Sequence, residues 1–290
     1  MLCRIFGLAF FFATVAIAWN LVALSGWISL GHAAFFGLGA YCTALADGYW
    51  QISAPWTLLL SGVCAALFGG ICTLVFKNLR GAAFALATLA SVEIPKVTID
   101  NWESFTFGSL GVTGIRPLPD IHLGAFQLNF SSDVVAQYYL LFAFLAAAAW
   151  IHHHAIHSRW GWSLRAIREN EQAAAVLGVA VLETRLKTMV LSAFLTGFCG
   201  GMYAHIMGMI EPPLVFNLHI SAMPLVFSIL GGRYTWYGPI VGTLILYSTD
   251  QLILHPLLPA GHAAVYGLVI VLCILFFPKG LGSWLPRKSS

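Results

Sequence analysis

Four groups of residues in this 290-residue chain have types and spacings that could do chemistry. Glu93 stands in an apolar run with Lys96 three positions on, a spacing that puts both on one helix face. A charge inside a bilayer costs on the order of 3 kcal/mol, so such an acid either lines a transport path or is held as an ion pair or a neutral, hydrogen-bonded group. Ser29 and His32 lie in a glycine-rich run, with Thr43 beyond them and Thr88 and Ser91 on the segment that carries Glu93. Small polar residues of this kind let a solute approach backbone and side chains, or equally let helices pack closely. His152, His153, His154 and His157 suggest a metal cluster at first sight. Consecutive helical residues point in different directions, however, and only His153 and His157 share a face, so they read as interfacial histidines at a helix end. The fourth group is the charged run 158–178. Asp250 reads as a helix-end residue in contact with water.

No Ser/His/Asp arrangement and no pair of acids at sensible spacing suggests catalysis, and G-x-x-x-x-G-K-[ST] is missing, so the chain has no phosphate-cradling loop of its own. It reads as a non-enzyme that binds no cofactor and no metal.

The elements that must position these groups are membrane helices. The chain is 59% hydrophobic and 9% charged, against the roughly 25% charge of soluble domains. A net charge of +3, dispersed along the chain, argues against a nucleic-acid partner. Cys3, Cys42, Cys64, Cys72, Cys199 and Cys273 lie singly in apolar runs with no C-x-x-C pair and read as reduced packing residues. The apolar run after Arg4 is too long for a secretory leader and is taken as a helix. Apolar windows of spanning length fall near 5–24, 28–46, 55–76, 81–99, 134–154, 187–209, 219–231, 236–254 and 261–278. The expectation is a single all-α domain over 1–290: a polytopic transmembrane bundle of about eight to nine membrane segments, some discontinuous or re-entrant. Pro95 and Pro224 make 81–99 and 219–231 the least regular of these.

If every span crosses once, Lys77, Arg80, Arg159, Arg165, Arg168, Arg185, Lys187, Arg233, Lys279, Arg287 and Lys288 share one side, which the positive-inside rule makes the cytoplasm. Arg4, Lys96 and Arg116 fall outside with most of the acids. The N-terminus is then outside and the C-terminus inside; a re-entrant 28–46 would put Arg4 inside instead. Residues 100–133 form a long outer loop, with Asp100, Glu103, Arg116 and Asp120 as exposed charges that could receive a partner protein. Trp102, Phe105 and Phe107 would equally let it pack as a lid on its own bundle.

Residues 155–186 are the main cytoplasmic segment. Leu164, Ile167, Ala174 and Leu177 recur at helical spacing with a break near Asn170, which predicts two short amphipathic helices ended by Gly178. Such a pair serves either as an interfacial element on membrane lipid or as a docking element for a cytoplasmic protein.

The stretch Arg165-Ala-Ile-Arg-Glu-Asn-Glu-Gln-Ala-Ala-Ala-Val-Leu-Gly178 resembles the coupling loop of permease subunits of bacterial branched-chain amino acid ABC importers. Residues 29–41 (SLGHAAFFGLGAY) resemble the signature of that family's M-type subunit. Residues 79–90 (LRGAAFALATLA), Leu230-Gly231-Gly232 and 236–242 (WYGPIVG) are similar to later blocks in the same order. Members carry a further helix before the position of 5–24, which fits an outer N-terminus here. The outer run 106–115 (TFGSLGVTGI) resembles a family motif with an acid at the position of Leu110.

The resemblance implies a subunit in a bacterial inner (cytoplasmic) membrane. Its partners would be a second homologous permease, two ATP-binding subunits that hold ATP and Mg²⁺, and a periplasmic or extracellular substrate-binding protein. Arg165, Arg168, Glu169, Glu171 and Gly178 would couple it to the ATPase, and Ser29, His32, Thr88 and Glu93 are the path candidates. Leucine, isoleucine or valine is the cargo expected, since an apolar path with few fixed charges suits a solute neutral overall. Relatives serving urea or short amides keep that alternative open. A stand-alone secondary transporter or channel would need an ion site, for which Glu93 and Asp250 are the available acids. A membrane enzyme would have to use the histidines.

Overall fold

The computed structural model describes residues 2–123, 126–128, 130, 133–257 and 267–268. Four long helices come first: α1 (Leu2–Ala23), α2 (His32–Trp50), α3 (Ala54–Phe76) and α4 (Gly81–Asn101). A loop region follows with α5 (Glu103–Thr106), a 3₁₀ turn at Gly108–Leu110, and strands β1 (Val112–Thr113), β2 (Ile121–Leu123) and β3 (Phe126–Leu128). Then come α6 (Val134–His157), α7 (Arg159–Glu169), α8 (Glu171–Val176) and α9 (Val181–Met207). Strand β4 (Met209–Ile210), α10 (Pro212–Val215), α11 (Leu218–Gly231) and α12 (Gly238–Thr249) complete the bundle, with a π turn at Asp250–Leu254 and α13 (His255–Leu257).

Long helices are the solution because backbone N–H and C=O groups in hydrocarbon must be paired within the segment. Their starts carry ordinary helix-initiating chemistry. Asp133 caps α6 by accepting from Val135 N at 2.8 Å, Asn217 caps α11 by accepting from His219 N at 2.9 Å, and prolines open α3 and α12.

Six stretches among the described residues are long and apolar enough to cross a membrane: α1, α3, α4, α6, α9 and the combined 212–231. The polytopic helical bundle expected from sequence is therefore present, and the six candidate crossings among the described residues leave a count of eight to nine unconfirmed. Helix α2 falls short because His32, Asp47 and its terminal Tyr49-Trp50 dilute its hydropathy, and α12 has only 12 residues. The window 261–278, apart from residues 267–268, and the basic C-terminal residues lie outside the described residues. The wholly helical expectation also misses two small ladders: β1 pairs antiparallel with β4 (Val112↔Ile210), and β2 with β3.

Helices α1, α2 and α9 form the buried centre; α3, α4 and α6 surround it and leave much of their surface bare. Helix α9 packs along both α2 and α3, and α1 along α6, α9 and α12. Helix α2 ends at the outer-loop end of the bundle, where Tyr49 stacks on Phe105 (centroids 5.2 Å, 9°), while Gly26 before it lies against Arg168 of α7. Its N-terminus is interior and its far end reaches the loop, which is not the geometry of a re-entrant hairpin.

Close approach of α2 and α9 requires glycine. A Cβ on Gly39 would overlap the backbone of Gly197, and one on Gly200 would overlap the Phe36 carbonyl. Gly200→Val should destabilise the protein by at least about 1–3 kcal/mol through overpacking. Thermal unfolding in detergent, followed by tryptophan fluorescence, should show a lower Tm. Gly48→Ala, where an added Cβ meets nothing within 4 Å, should hold or raise it, by up to about 1 kcal/mol. Equal Tm values for the two variants would mean that the helices do not meet at Gly200.

Candidate functional site

At one end of the bundle the run 158–178 folds into the two expected helices, each started by a side-chain cap. Ser158 Oγ accepts from Gly161 N at 3.3 Å to open α7, and Asn170 Oδ1 accepts from Ala173 N at 3.0 Å to open α8. Asn170 itself is extended (φ −157°, ψ 106°), which is why the helices are two. Gly178 adopts φ +89°, and Val179 N bonds back to Ala174 O at 3.0 Å, a left-handed helix ending that favours glycine. Leu164 and Ile167 are buried, Leu164 against Leu24 and Ile156. The tip of α8 is bare instead, with Val176 88% and Leu177 83% exposed.

The charges around these helices mostly fasten them. Arg165 donates to Ile156 O at 2.6 Å and lies over Trp162 (4.6 Å), tying α7 to α6. Arg168 pairs with Glu169 at 2.7 Å and stacks over Tyr234 (4.1 Å) in the loop before α12. Glu171 is a bridge. One of its oxygens meets Arg185 of α9 at 3.1 Å, the other Arg80 before α4 at 3.4 Å. The Arg185 side chain is only 7% exposed; its guanidinium lies 4.4 Å over Trp27, which stacks on Phe84 of α4 (4.2 Å, 23°). The Arg80 pair is solvated and worth at most about 1 kcal/mol, whereas breaking a largely buried pair costs about 3–5 kcal/mol.

In the interior, three of the four path candidates come together at the start of α2. Trp19 Nε1 donates to Ser29 O at 2.7 Å, Leu30 N donates to Thr88 Oγ1 at 3.0 Å, and Ala33 N donates to Ser221 Oγ at 2.8 Å. Ser29, His32 and Thr88 are all buried. Ser192 Oγ gives its one proton to Ala18 O at 2.6 Å, so the 3.0 Å contact with His32 Nε2 requires that nitrogen to carry the hydrogen. Among the described residues His32 Nδ1 then faces no partner. Glu93 is not in this cluster. It lies on the bare face of α4, 60% exposed, with Lys96 at 3.4 Å.

At the opposite end Asp47 is buried and holds Arg116 through the backbone N (2.9 Å) and Nε (2.7 Å). His205 Nδ1 donates to Arg116 O at 2.7 Å, and its Nε2 meets Thr57 Oγ1 at 2.8 Å. The outer segment is thus pinned to α2 and α9, and His205 in turn ties α9 to α3. Glu103 and Asp120 are on the surface, and Asp100 is half-buried at the end of α4. Phe105 and Phe107 both stack on Tyr49, while Trp102 and Phe107 remain about half-exposed, so the loop both packs on its own bundle and presents a surface.

The histidines divide. His153 and His157 rings lie 4.5 Å apart on one face, and His152 is buried away from them. No three metal-ligating side chains converge among the described residues.

Ser192, Ser221, Arg80, Arg185 and the Asp47–Arg116 contact were not singled out from sequence as partners. The available signal was a small polar residue inside an apolar run for the serines. For the ion pairs there was none beyond charge.

Apolar crossing helices around a polar interior start, with a capped amphipathic pair at one end, define a multi-pass membrane protein of the permease class. The chain belongs to the family described as "Branched-chain amino acid transport system / permease component", whose model matches residues 1–276. It is 26% identical over 279 residues to the high-affinity branched-chain amino acid transport system permease protein LivM of Escherichia coli, covering 90% of this chain and 64% of that protein. It is 24% identical over 289 residues to the high-affinity branched-chain amino acid transport system permease protein LivH of the same organism, covering 93% of this chain and 90% of that protein. The autoinducer 2 import system permease protein LsrC of Klebsiella pneumoniae is 27% identical over 275 residues, covering 93% and 76%. The chain thus spans somewhat less than two thirds of the length of the LivM proteins that it matches. No solved structure matches it.

Replacing Glu171 by Gln should free α8 from α9. Hydrogen–deuterium exchange of 171–178 should rise, corresponding to about 3 kcal/mol of lost protection, while α1 and α2 stay protected. The double variant Glu171→Gln/Arg185→Met should cost less than the two single changes added together, by about 0.5–3 kcal/mol. Strict additivity would remove Glu171 as the bridge.

Proposed function

We propose that this chain is the membrane-spanning permease subunit of an ABC importer that moves branched-chain amino acids. ATP and Mg²⁺ act on two partner ATP-binding subunits, and a second permease of the same family completes the path. A substrate-binding protein delivers cargo at the outer-loop end. The observation that carries the reading is the α7–α8 pair: rigidly capped, fastened to α9 and α4 through Glu171, yet bare at Val176 and Leu177. Large apolar side chains on a six-residue helix tip, braced from behind, suit insertion into a groove of another protein better than a lipid surface.

The mechanism follows from the bracing. Closure of the ATPase dimer on ATP carries the α8 tip with it. Glu171 transmits that displacement to Arg185 and Arg80, and so to α9 and to the start of α4. Helix α9 is interdigitated with α2, whose interior start carries Ser29 and His32. Lys77, Arg80, Arg165 and Arg168 gather at this end, which supports a cytoplasmic location for it in a bacterial inner membrane. The interior start of α2 offers hydroxyls and one imidazole and no fixed charge, an environment suited to a zwitterion that is neutral overall. Asp100, Glu103, Arg116 and Asp120, at the other end, are the charges available to the binding protein.

Two readouts test this. Gentle purification of the tagged chain from native membranes should recover a second permease and two ATP-binding proteins. In that assembly Glu171→Ala and Gly178→Val should lower leucine uptake per ATP hydrolysed by at least about fivefold, the low end of ordinary coupling energies. Ligand-independent ATPase activity and membrane insertion should persist. Uptake by the isolated chain in liposomes without ATP would overturn the proposal and favour a stand-alone transporter.

A further inference from the structure

Three spans are only lightly covered by their own chain, and their bare faces differ in chemistry. On α3 the exposed side chains include Leu59, Leu60, Val63, Leu67, Ile71 and Leu74, an aliphatic surface suited to lipid. On α6 they include Val134, Val135, Tyr139, Phe142 and Trp150, again suited to acyl chains with aromatics toward the ends. Helix α4 is the exception. Its exposed positions include Ala83, Leu86, Ala90, Glu93, Val97 and Asn101, which recur at three- and four-residue spacing and form one stripe, with Ile94 and Thr98 exposed beside it. Glu93 sits roughly 12 Å from the Asn101 end and roughly 18 Å from Gly81 at the normal helical rise, well inside the span.

The ion pair on this stripe is not sequestered. Glu93 Oε2 meets Lys96 Nζ at 3.4 Å, with 60% and 31% of the two side chains exposed. Ionisable side chains at membrane depth face protein or water rather than lipid, because hydrocarbon cannot solvate them. Lys96 is near enough to the helix end to reach polar surroundings, but Glu93 is not. The lower part of the stripe, Ala83 and Ala90, is small, which permits close approach of another helix. The family has two kinds of permease protein in one transport system, LivM and LivH, and this chain is similar to both.

We infer that the Ala83–Leu86–Ala90–Glu93–Val97 stripe of α4 is the contact face for a second, non-identical permease chain of the same family, with the Glu93–Lys96 pair covered in that interface. This rests on the proposed two-permease assembly and adds to it the surface through which the chains meet. The bare faces of α3 and α6 are then the lipid-facing sides.

The test places a photo-crosslinking benzoylphenylalanine at Leu86, Ala90 or Val97 in the full assembly in native membranes, with Leu67 of α3 and Phe142 of α6 as controls. Adducts are identified by mass spectrometry. The expected result is a covalent product with a second permease chain from the α4 positions and lipid adducts alone from the controls. A second measurement guards against perturbed assembly. A nitroxide at Ala90 in purified complex in lipid nanodiscs should be shielded from oxygen, and one at Leu67 should not. Recovery of the two-permease complex with only lipid adducts at α4 would overturn the interface while leaving the importer reading intact. Adducts within the same chain, or with a second copy of it, would overturn it too. Failure to recover any second permease would instead remove the assembly on which the inference rests.

Discussion

The rest of the structure depends on a stretch of non-helical backbone, residues 24–31, placed among membrane helices. Unpaired N–H and C=O groups there would each cost several kcal/mol in an apolar setting, so every neighbouring element has to supply a partner. Helix α1 supplies Trp19 to the Ser29 carbonyl, α4 supplies Thr88 to Leu30 N, and α11 supplies Ser221 to Ala33 N. The Ser29 side chain itself accepts from Gly31 N at 3.2 Å. These are small hydroxyls and an indole, chosen by reach rather than charge. Because the partners come from three separate helices, the break in the chain fixes how those helices sit around it.

The same stretch joins the interior to the end of the bundle. Trp27, a few residues before Ser29, lies between Phe84 and the Arg185 guanidinium, and Arg185 is held by Glu171. A line of direct contacts therefore runs from the bare tip of α8 through Glu171, Arg185 and Trp27 to the start of α2. Only the Glu171–Arg185 link is costly to break alone. The value of the line is geometric: a planar guanidinium clamped between a carboxylate and an aromatic face has few alternative positions, so moving one end obliges the other to move.

Much of this was legible in the sequence, and what was not has a physical reason. The two-helix character of 158–178, the break near Asn170 and the stop at Gly178 are local, encoded by cap residues and by a glycine in the left-handed region. Ser29, His32 and Thr88 were recognisable as polar residues out of place in apolar runs. Long-range pairing is not encoded that way. Arg80 and Arg185 looked like generic basic loop residues, and nothing in the sequence marked Asp47, inside α2, as the buried partner of Arg116. Helix α9 begins at Val181 instead of near 187 because Glu183, Arg185 and Lys187 depress local hydropathy without interrupting the helix; Glu183 and Lys187 pair at 2.6 Å along it. Helix α2 falls below the hydropathy of a lipid-facing span for the complementary reason: it is buried between α3 and α9, so it need not be as apolar.

Packing also decides where this bundle can change shape. Parting α2 from α9 would open a seam of backbone-to-backbone contacts at Gly39, Gly197 and Gly200, losing dispersion along its whole length. Such a seam moves as one body or not at all. Helix α4 is held differently. It meets α2 through Thr88 and Ser91 beside Gly31, and its ends through Phe84 and Ile99. Its start is also tied to Glu171 through Arg80. In the proposed coupling, a displacement arriving from α8 would reach two elements of unequal stiffness, α9 within the interlocked centre and α4 at its edge. Relative motion between them falls on the Thr88–Leu30 contact, beside His32, where a hydrogen bond can break and reform at far lower cost than the glycine seam.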